Sequence, residues 1–383
     1  MKINNLPCEI VAEILGQLDK VEDLKAPLLS SRLFHDAYTQ RPRLAQQIVR
    51  KQIPSQLLPY AVILPHASRV HISNSAYNAL SLQPEDADTM VFRFMFEGGI
   101  VSTSNFQTFS FPQLIAMGAT HELITDVASN FASKAWLSMS DILDDTISTK
   151  STPSHPDLSQ KEWLRFCRCF YRVELYYGLL SNYKFEERDV HVTQENNPLE
   201  PVIDFEEREK RYPARHILHD LVPWDIEQME TAIGYLSDSF MASAGLPVTD
   251  GYTGKSLHCK GLRFLRNFEK MPYAEKRELL ESGVPIFCSS LFMEFSVYEP
   301  RFDISRAWQD TKLDAPLQLS DLADMDADKG PGKGFDFILD CAITHLMSRD
   351  EYERLKEQGY LFWDHERLEK YDMCSTRFIR PPF

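Results

Sequence analysis

Leu6-Pro7-Cys8-Glu9-Ile10-Val11-Ala12-Glu13-Ile14-Leu15-Gly16-Gln17-Leu18 is the stretch on which the reading of this chain turns. Pro7 suits a first helical position, where its missing N–H is no loss, and Glu9 falls in the first turn, where the helix dipole favours negative charge. Ile10, Ile14 and Leu18 recur every four residues, with Val11 and Leu15 one step round. The apolar stripe therefore spans roughly 140°, where about 100° suffices to face one core. A second apolar segment, Leu24, Leu28, Leu29, Leu33 and Phe34, follows a charged turn at residues 19–23, and a third, Leu44, Ala45, Ile48 and Val49, opens behind Pro42. The pattern predicts three short helices. Modules of about 40 to 60 residues struggle to build a sufficient core, so surplus apolar positions on one this small imply that another surface covers them.

These residues resemble the F-box family, whose motif opens on Leu-Pro-x-Glu-Ile/Leu, continues through an apolar helix and Asp-Leu, and closes on Ser/Cys-Arg-x-Phe/Trp. Here the elements are Leu6-Pro7-Cys8-Glu9-Ile10, then Ile14-Leu15 and Leu18, then Asp23-Leu24, and Ser31-Arg32-Leu33-Phe34. The match departs at Pro27, where the family has an apolar helical residue; proline inside a helix costs about 3 kcal/mol unless it lies in the first turn, so the second helix either starts near Pro27 or is kinked there. The resemblance implies an adaptor that docks on a Skp-family linker of a cullin–RING ubiquitin ligase and carries a target on the rest of the chain. It implies no catalysis and no cofactor. Leu6, Pro7, Ile10, Ile14, Leu15, Leu18, Leu24, Leu29 and Phe34 would divide between internal packing and the linker surface, and the sequence leaves open which does which.

The rest of the 383-residue chain reads as a large, non-repeat helical domain, residues 54–383, so the whole is mainly α. Residues 1–53 carry eight Lys/Arg against six Asp/Glu, which leaves a net charge of −17 for the remainder of a chain whose total is −15. An acidic body disfavours nucleic acid as a partner, because that affinity comes largely from clustered basic charge. Residues 1–5 lack an apolar signal core, Lys2 excludes an N-myristoyl glycine, and no uncharged apolar run approaches the ~18 residues of a membrane span. A cytoplasmic or nuclear protein with no membrane partner is expected. Seven scattered cysteines fit reduced thiols better than a disulfide framework.

Residues 54–65, punctuated by Pro54, Pro59 and Pro65, tie the first module to the body. Helices are expected at 84–98 and 111–140, and the turn formers and hydroxyls of 144–159 read as a loop or linker. Ser159 and Glu162 have capping-box spacing, with Leu158 placed to staple onto Trp163. The helix they open shows Trp163, Phe166, Phe170, Val173 and Tyr177 on one face. Arg165, Arg168 and Arg172 on the other read as a solvated stripe pairing with neighbouring carboxylates. A short strand is expected at 190–193, and further helices at 224–243, 257–268, 273–282, 335–346 and 349–358. The last has Ser348 and Glu351 as a capping box, Met347 and Tyr352 as a staple, and Gly359 as its stop. Trp363 reads as a structural residue that locks the last two helices, with Asp364 as a helix cap. The segment 359–368 also resembles a C-terminal element of F-box-like proteins of filamentous fungi, which implies no activity.

Chemistry-bearing motifs are incomplete. Gly254-Lys255-Ser256 resembles the end of a phosphate loop, but the required earlier glycine falls at Thr249. Asp324, Asp326 and Asp328 alternate as in a calcium loop, yet the glycine comes one place late at Gly330 and the twelfth position is Phe335. Gly330-Pro331-Gly332-Lys333-Gly334 lacks phosphate-loop spacing. Glu186-Glu187 and Glu206-Glu207 sit in polar segments that keep both members ionised. Cys167 and Cys169 have no second pair at zinc spacing, and no metal is expected. The alternative to an adaptor is an enzyme assembled around His216, His219 and Asp220, with the first fifty residues serving only as a packed hairpin.

Overall fold

A computed structural model describes residues 6–67, 106, 109–146, 155–181, 223–245, 260–281 and 349–371, and these are mostly helical with no strand among them. N-terminal helices are followed by a larger helical region. The helices expected at 84–98 and 335–346 and the strand at 190–193 lie outside the described residues, as do Met347, Ser348 and the incomplete motifs between residues 186 and 335.

Helix α1 spans Cys8–Leu15, with Pro7 just outside it and the Pro7 carbonyl accepting from the Ile10 and Val11 amides at 3.1 Å. The stripe that runs on to Leu18 is therefore only partly helical. A 3₁₀ turn, Val21–Leu24, leads directly into α2, Lys25–Ser30, so Pro27 is its third residue and spends its missing N–H where no intrahelical partner exists. The helix starts near Pro27. Ser31, extended at φ −155° and ψ 139°, ends α2 and caps α3, Arg32–Gln40, by accepting from the Leu33 amide. This one cap splits the expected second helix in two, so the described residues 6–53 hold four α-helices where the pattern predicts three. The fourth, α4, is Leu44–Gln52, and Lys51 near its end donates to the Gly16 carbonyl at 3.1 Å, placing a cation on the C-terminal end of α1.

Helix α5, Leu58–Ala67, is apolar on every side and is buried between α6, Phe111–Thr146, and α7, Gln160–Ser181. Helix α8, Pro223–Ala244, packs on α7; α9, Leu262–Lys270, packs on α6 and α8, and α10, Tyr273–Glu281, packs on α8. Two short C-terminal helices follow, α11, Arg349–Glu357, and α12, His365–Lys370. Gly359, at φ 63°, stops α11 as expected; its backbone occupies the left-handed region and its amide bonds back to the Lys356 carbonyl.

The centre of the molecule is α7. Phe166, Phe170, Tyr171, Val173, Tyr176 and Tyr177 are all buried, and so are Arg165, Arg168 and Arg172. The expectation of a solvated arginine face is thus corrected: α5, α6, α8 and the C-terminal segment enclose the helix and cover its arginines. Pairing with carboxylates does occur, but inside. Arg172 meets Asp225 at 2.5 Å, and Arg165 meets Asp364 at 2.7 Å while also donating to the Phe362 carbonyl at 2.7 Å. One apolar cluster continues from Val11 in α1 to Leu368 in α12, with the 3₁₀ turn and α4 resting on α6.

Candidate functional site

Helices α1 and α2 both pack on α3, and that packing sorts the apolar stripe. Leu15 and Leu24 are 3% and 0% exposed and belong to the internal core with Val11, Ala12, Val21 and Ala37. Neither is available to a partner in the folded chain. Leu6, Leu18 and Phe34 are half-buried against that core. Pro7, Ile10, Ile14 and Leu29 face outward, with Ile10 48%, Ile14 47% and Leu29 79% exposed. Three of the five large hydrophobics exposed among the described residues therefore sit on α1 and α2, which marks uncovered apolar surface at this end. Polar neighbours frame it: Glu13 on α1 pairs with Arg41 beyond α3 at 2.5 Å, and Arg32 pairs with Asp36 at 3.6 Å. These are exposed pairs of small energetic weight, so they orient the rim more than they hold it.

At the other end, the capping box forms as expected. The Glu162 amide donates to Ser159 Oγ at 3.1 Å, and the Ser159 amide donates to Glu162 Oε2 at 2.9 Å. The fully buried Glu162 carboxylate also receives Arg367 on both oxygens, Nε and Nη2 each at 2.7 Å, and the Asp364 amide at 2.8 Å. Asp364 stands at the cap position of α12, but its side chain makes no cap bond. Instead it accepts from Ser159 Oγ and Arg165. Burial raises its pKa, yet the Ser159 and Arg165 hydrogen bonds with the charges of Arg165 and Lys161 outweigh that, holding the carboxyl below its ordinary value. The Arg367 guanidinium lies 5.2 Å and 5.3 Å over the Trp136 and Trp363 rings. A polar cleft of about 500 Å³ opens beside this cluster. Trp363 is fully buried, stands edge-on to Trp136 at 6.0 Å and donates to the Gln358 carbonyl at 2.7 Å, so its structural reading holds.

Three groups, His121 buried and Glu174 and Glu22 partly buried, carry perturbed ionisation that the sequence pattern gives no sign of. His121 on α6 is stacked on Tyr171, with Nδ1 3.1 Å from the tyrosine hydroxyl. Burial pushes its pKa down to about 4, against smaller opposing pulls from Glu122 and the Gln52 backbone carbonyl. Glu174 on α7 accepts from the Leu262 amide at the start of α9, and burial raises its pKa against that bond and Arg263. Glu22 is raised by the same cause where the 3₁₀ turn meets α6. Burial drives the Cys167 thiol up to about 12 and Cys169 higher still, which makes both inert.

Among the described residues, no three His, Cys, Asp or Glu side chains are grouped to hold a metal ion. Nor is any described helix long and apolar enough to cross a membrane. His216, His219 and Asp220 lie outside the described residues. No family model matches the chain, and no curated protein and no solved structure matches it.

Proposed function

We propose that the chain is a non-catalytic F-box adaptor. Its α1–α3 end docks on a Skp-family linker of a cullin–RING ubiquitin ligase through Pro7, Ile10, Ile14 and Leu29, and the helical body carries the target protein. Leu15 and Leu24 support that surface from within, and Leu6, Leu18 and Phe34 form its half-buried border. The observation that carries the reading is the exposure of Ile10, Ile14 and Leu29 on helices whose core is already complete without them. Covering such side chains is worth roughly 25 cal/mol per Å² of apolar area. A small module gains from a partner that removes them from water. The proposal places the protein in the cytoplasm or nucleus, where such ligases act, and gives it no cofactor, metal or nucleic-acid partner.

The test is a quantitative pull-down of a purified Skp-family linker by the full chain and by Ile10→Asp/Leu29→Asp. Both positions are exposed, so the double variant should keep its circular dichroism and melting midpoint while losing the linker, since surface changes away from structural features stay within about 0.5 kcal/mol. A folded variant that still captures the linker, or a wild-type chain that ignores it, overturns the proposal.

A further inference from the structure

Where α5, α6, α7 and α9 meet, they leave a cavity of about 290 Å³. Small residues make the space: Ala61 on α5 and Gly178 on α7 occupy positions at which larger side chains would fill it. Leu64 and Met117 contribute apolar lining, and Thr120, Glu174 and the exposed Arg263 contribute polar lining. Here the Glu174 carboxylate is already answered. It accepts from the Leu262 amide at the N-terminus of α9, where the helix dipole is positive, and it is drawn to Arg263 in the next position. Tyr171 also lines the cavity, and its hydroxyl is engaged with His121.

From this arrangement we infer that the cavity is a binding site for a small, uncharged, largely hydrocarbon molecule that carries one hydroxyl. The size follows from volume: a cavity of about 150 Å³ takes benzene, so one near twice that volume takes about a dozen heavy atoms. The absence of ligand charge follows from the polar lining: the Glu174 carboxylate already accepts from the Leu262 amide, and Arg263 stands exposed to water, so a charged ligand would give up its own hydration against groups already answered, which is costly. A hydroxyl needs only one donor and one acceptor, and the Thr120 side chain and Glu174 offer both. The remaining carbon skeleton replaces water against Leu64 and Met117. Pockets of this kind, mostly apolar with a few placed polar groups, are the usual form of small-molecule sites.

Three probes of matched size separate the possibilities: 4-phenylbutan-1-ol, 4-phenylbutylamine and 4-phenylbutyrate. Titrated calorimetrically into the full chain at pH 7, the alcohol should bind with one-to-one stoichiometry, and the amine and carboxylate more weakly by about tenfold or more, given the cost of an unpaired buried charge. Ala116 lies at the exposed edge of the cavity, so Ala116→Leu should close the site and abolish alcohol binding with an unchanged melting midpoint. Thr120→Val should weaken the alcohol without closing the site. No binding of the alcohol at millimolar concentration, or equal binding by Ala116→Leu, overturns the site. Tighter binding of either charged probe overturns the ligand class.

Discussion

Acidification should act on this protein through His121. The ring, carried on α6, meets α7 and the end of α4: it stacks on Tyr171, its edge meets Trp163, Nδ1 lies 3.1 Å from the Tyr171 hydroxyl, and the Gln52 backbone also favours its protonation. Of the charged groups around it, Glu122 favours protonation, but that carboxylate is shared with Lys20 at 2.5 Å, and burial dominates. The folded-state pKa of about 4 lies below the ordinary 6.5, so on lowering the pH the unfolded chain takes up this proton first. The stabilisation is therefore complete above pH 6.5 and is lost progressively as the pH falls toward 4. The gap of 2.5 units corresponds to on the order of 3 kcal/mol, at about 1.4 kcal/mol per unit. His121→Phe keeps the aromatic stack and removes the titration. At pH 7 it should cost about 1 to 3 kcal/mol, because the buried Tyr171 hydroxyl loses its hydrogen-bond partner. Between pH 6 and 4.5 the wild-type advantage should then shrink by roughly 1.4 kcal/mol per unit. Urea midpoints of both proteins across that range measure it, and the carboxylates common to both cancel in the difference. Two stability curves that stay parallel from pH 7 to 4.5 would refute the argument.

Trp363→Ala should destabilise the chain by about 3 to 5 kcal/mol, read from chemical denaturation, because it empties the contact with Trp136 and Phe166 and leaves the Gln358 carbonyl without its donor. Gly118→Ala should lower the melting midpoint although alanine favours a helix by about 1 kcal/mol. A Cβ there would stand 2.8 Å from Val21 Cγ1, Glu22 Oε1 and Gln52 Oε1, and overpacking of that kind costs about 1 to 3 kcal/mol. With N-ethylmaleimide at pH 8, Cys167 and Cys169 should stay unlabelled in the native protein and react once it is unfolded; peptide mass spectrometry that finds either labelled in the native state would contradict their burial.

What the sequence made legible was local. The Ser159 and Glu162 box, the Gly359 stop, the helices expected at 224–243 and 273–282, and the mainly α character all depend on residues close in the chain, whereas the helix expected at 257–268 is observed as Leu262–Lys270. The splitting of α2 from α3 was local too, but its signal was the Ser30-Ser31 pair between Leu29 and Leu33, and the apolar period masked it. The arginines of α7 were misread for a different reason. An arginine stripe opposite an aromatic stripe has the same pattern whether water or protein covers it. Here the cover comes from Asp225 and Asp364, 53 and 199 residues further along the chain. Asp364 illustrates the same limit, since its position at the start of α12 was readable while its engagement with Ser159 and Arg165 was not.

The outward end of the molecule was half legible, and the missing half is instructive. Stripe width counts how many apolar residues a helix carries in excess of one core, and α1 does carry an excess. Width cannot say which residues are the excess, because that depends on where the neighbouring helix lies. Helix α3 lies over Val11, Ala12 and Leu15, so Ile10 and Ile14 are displaced outward even though Ile10 and Leu15 look equivalent in a linear pattern. An aspartate at position 15 would therefore test folding, because a charge at a buried site without a partner costs several kcal/mol, whereas an aspartate at position 10 tests binding. The 3₁₀ turn and α4 add a second consequence. They rest on α6, and Gly118 lets Val21, Glu22 and Gln52 approach it closely. Any load placed on the exposed face of α1 and α2 is thus borne by the same apolar cluster that encloses α7, so a bound partner would stabilise the body together with the N-terminal helices.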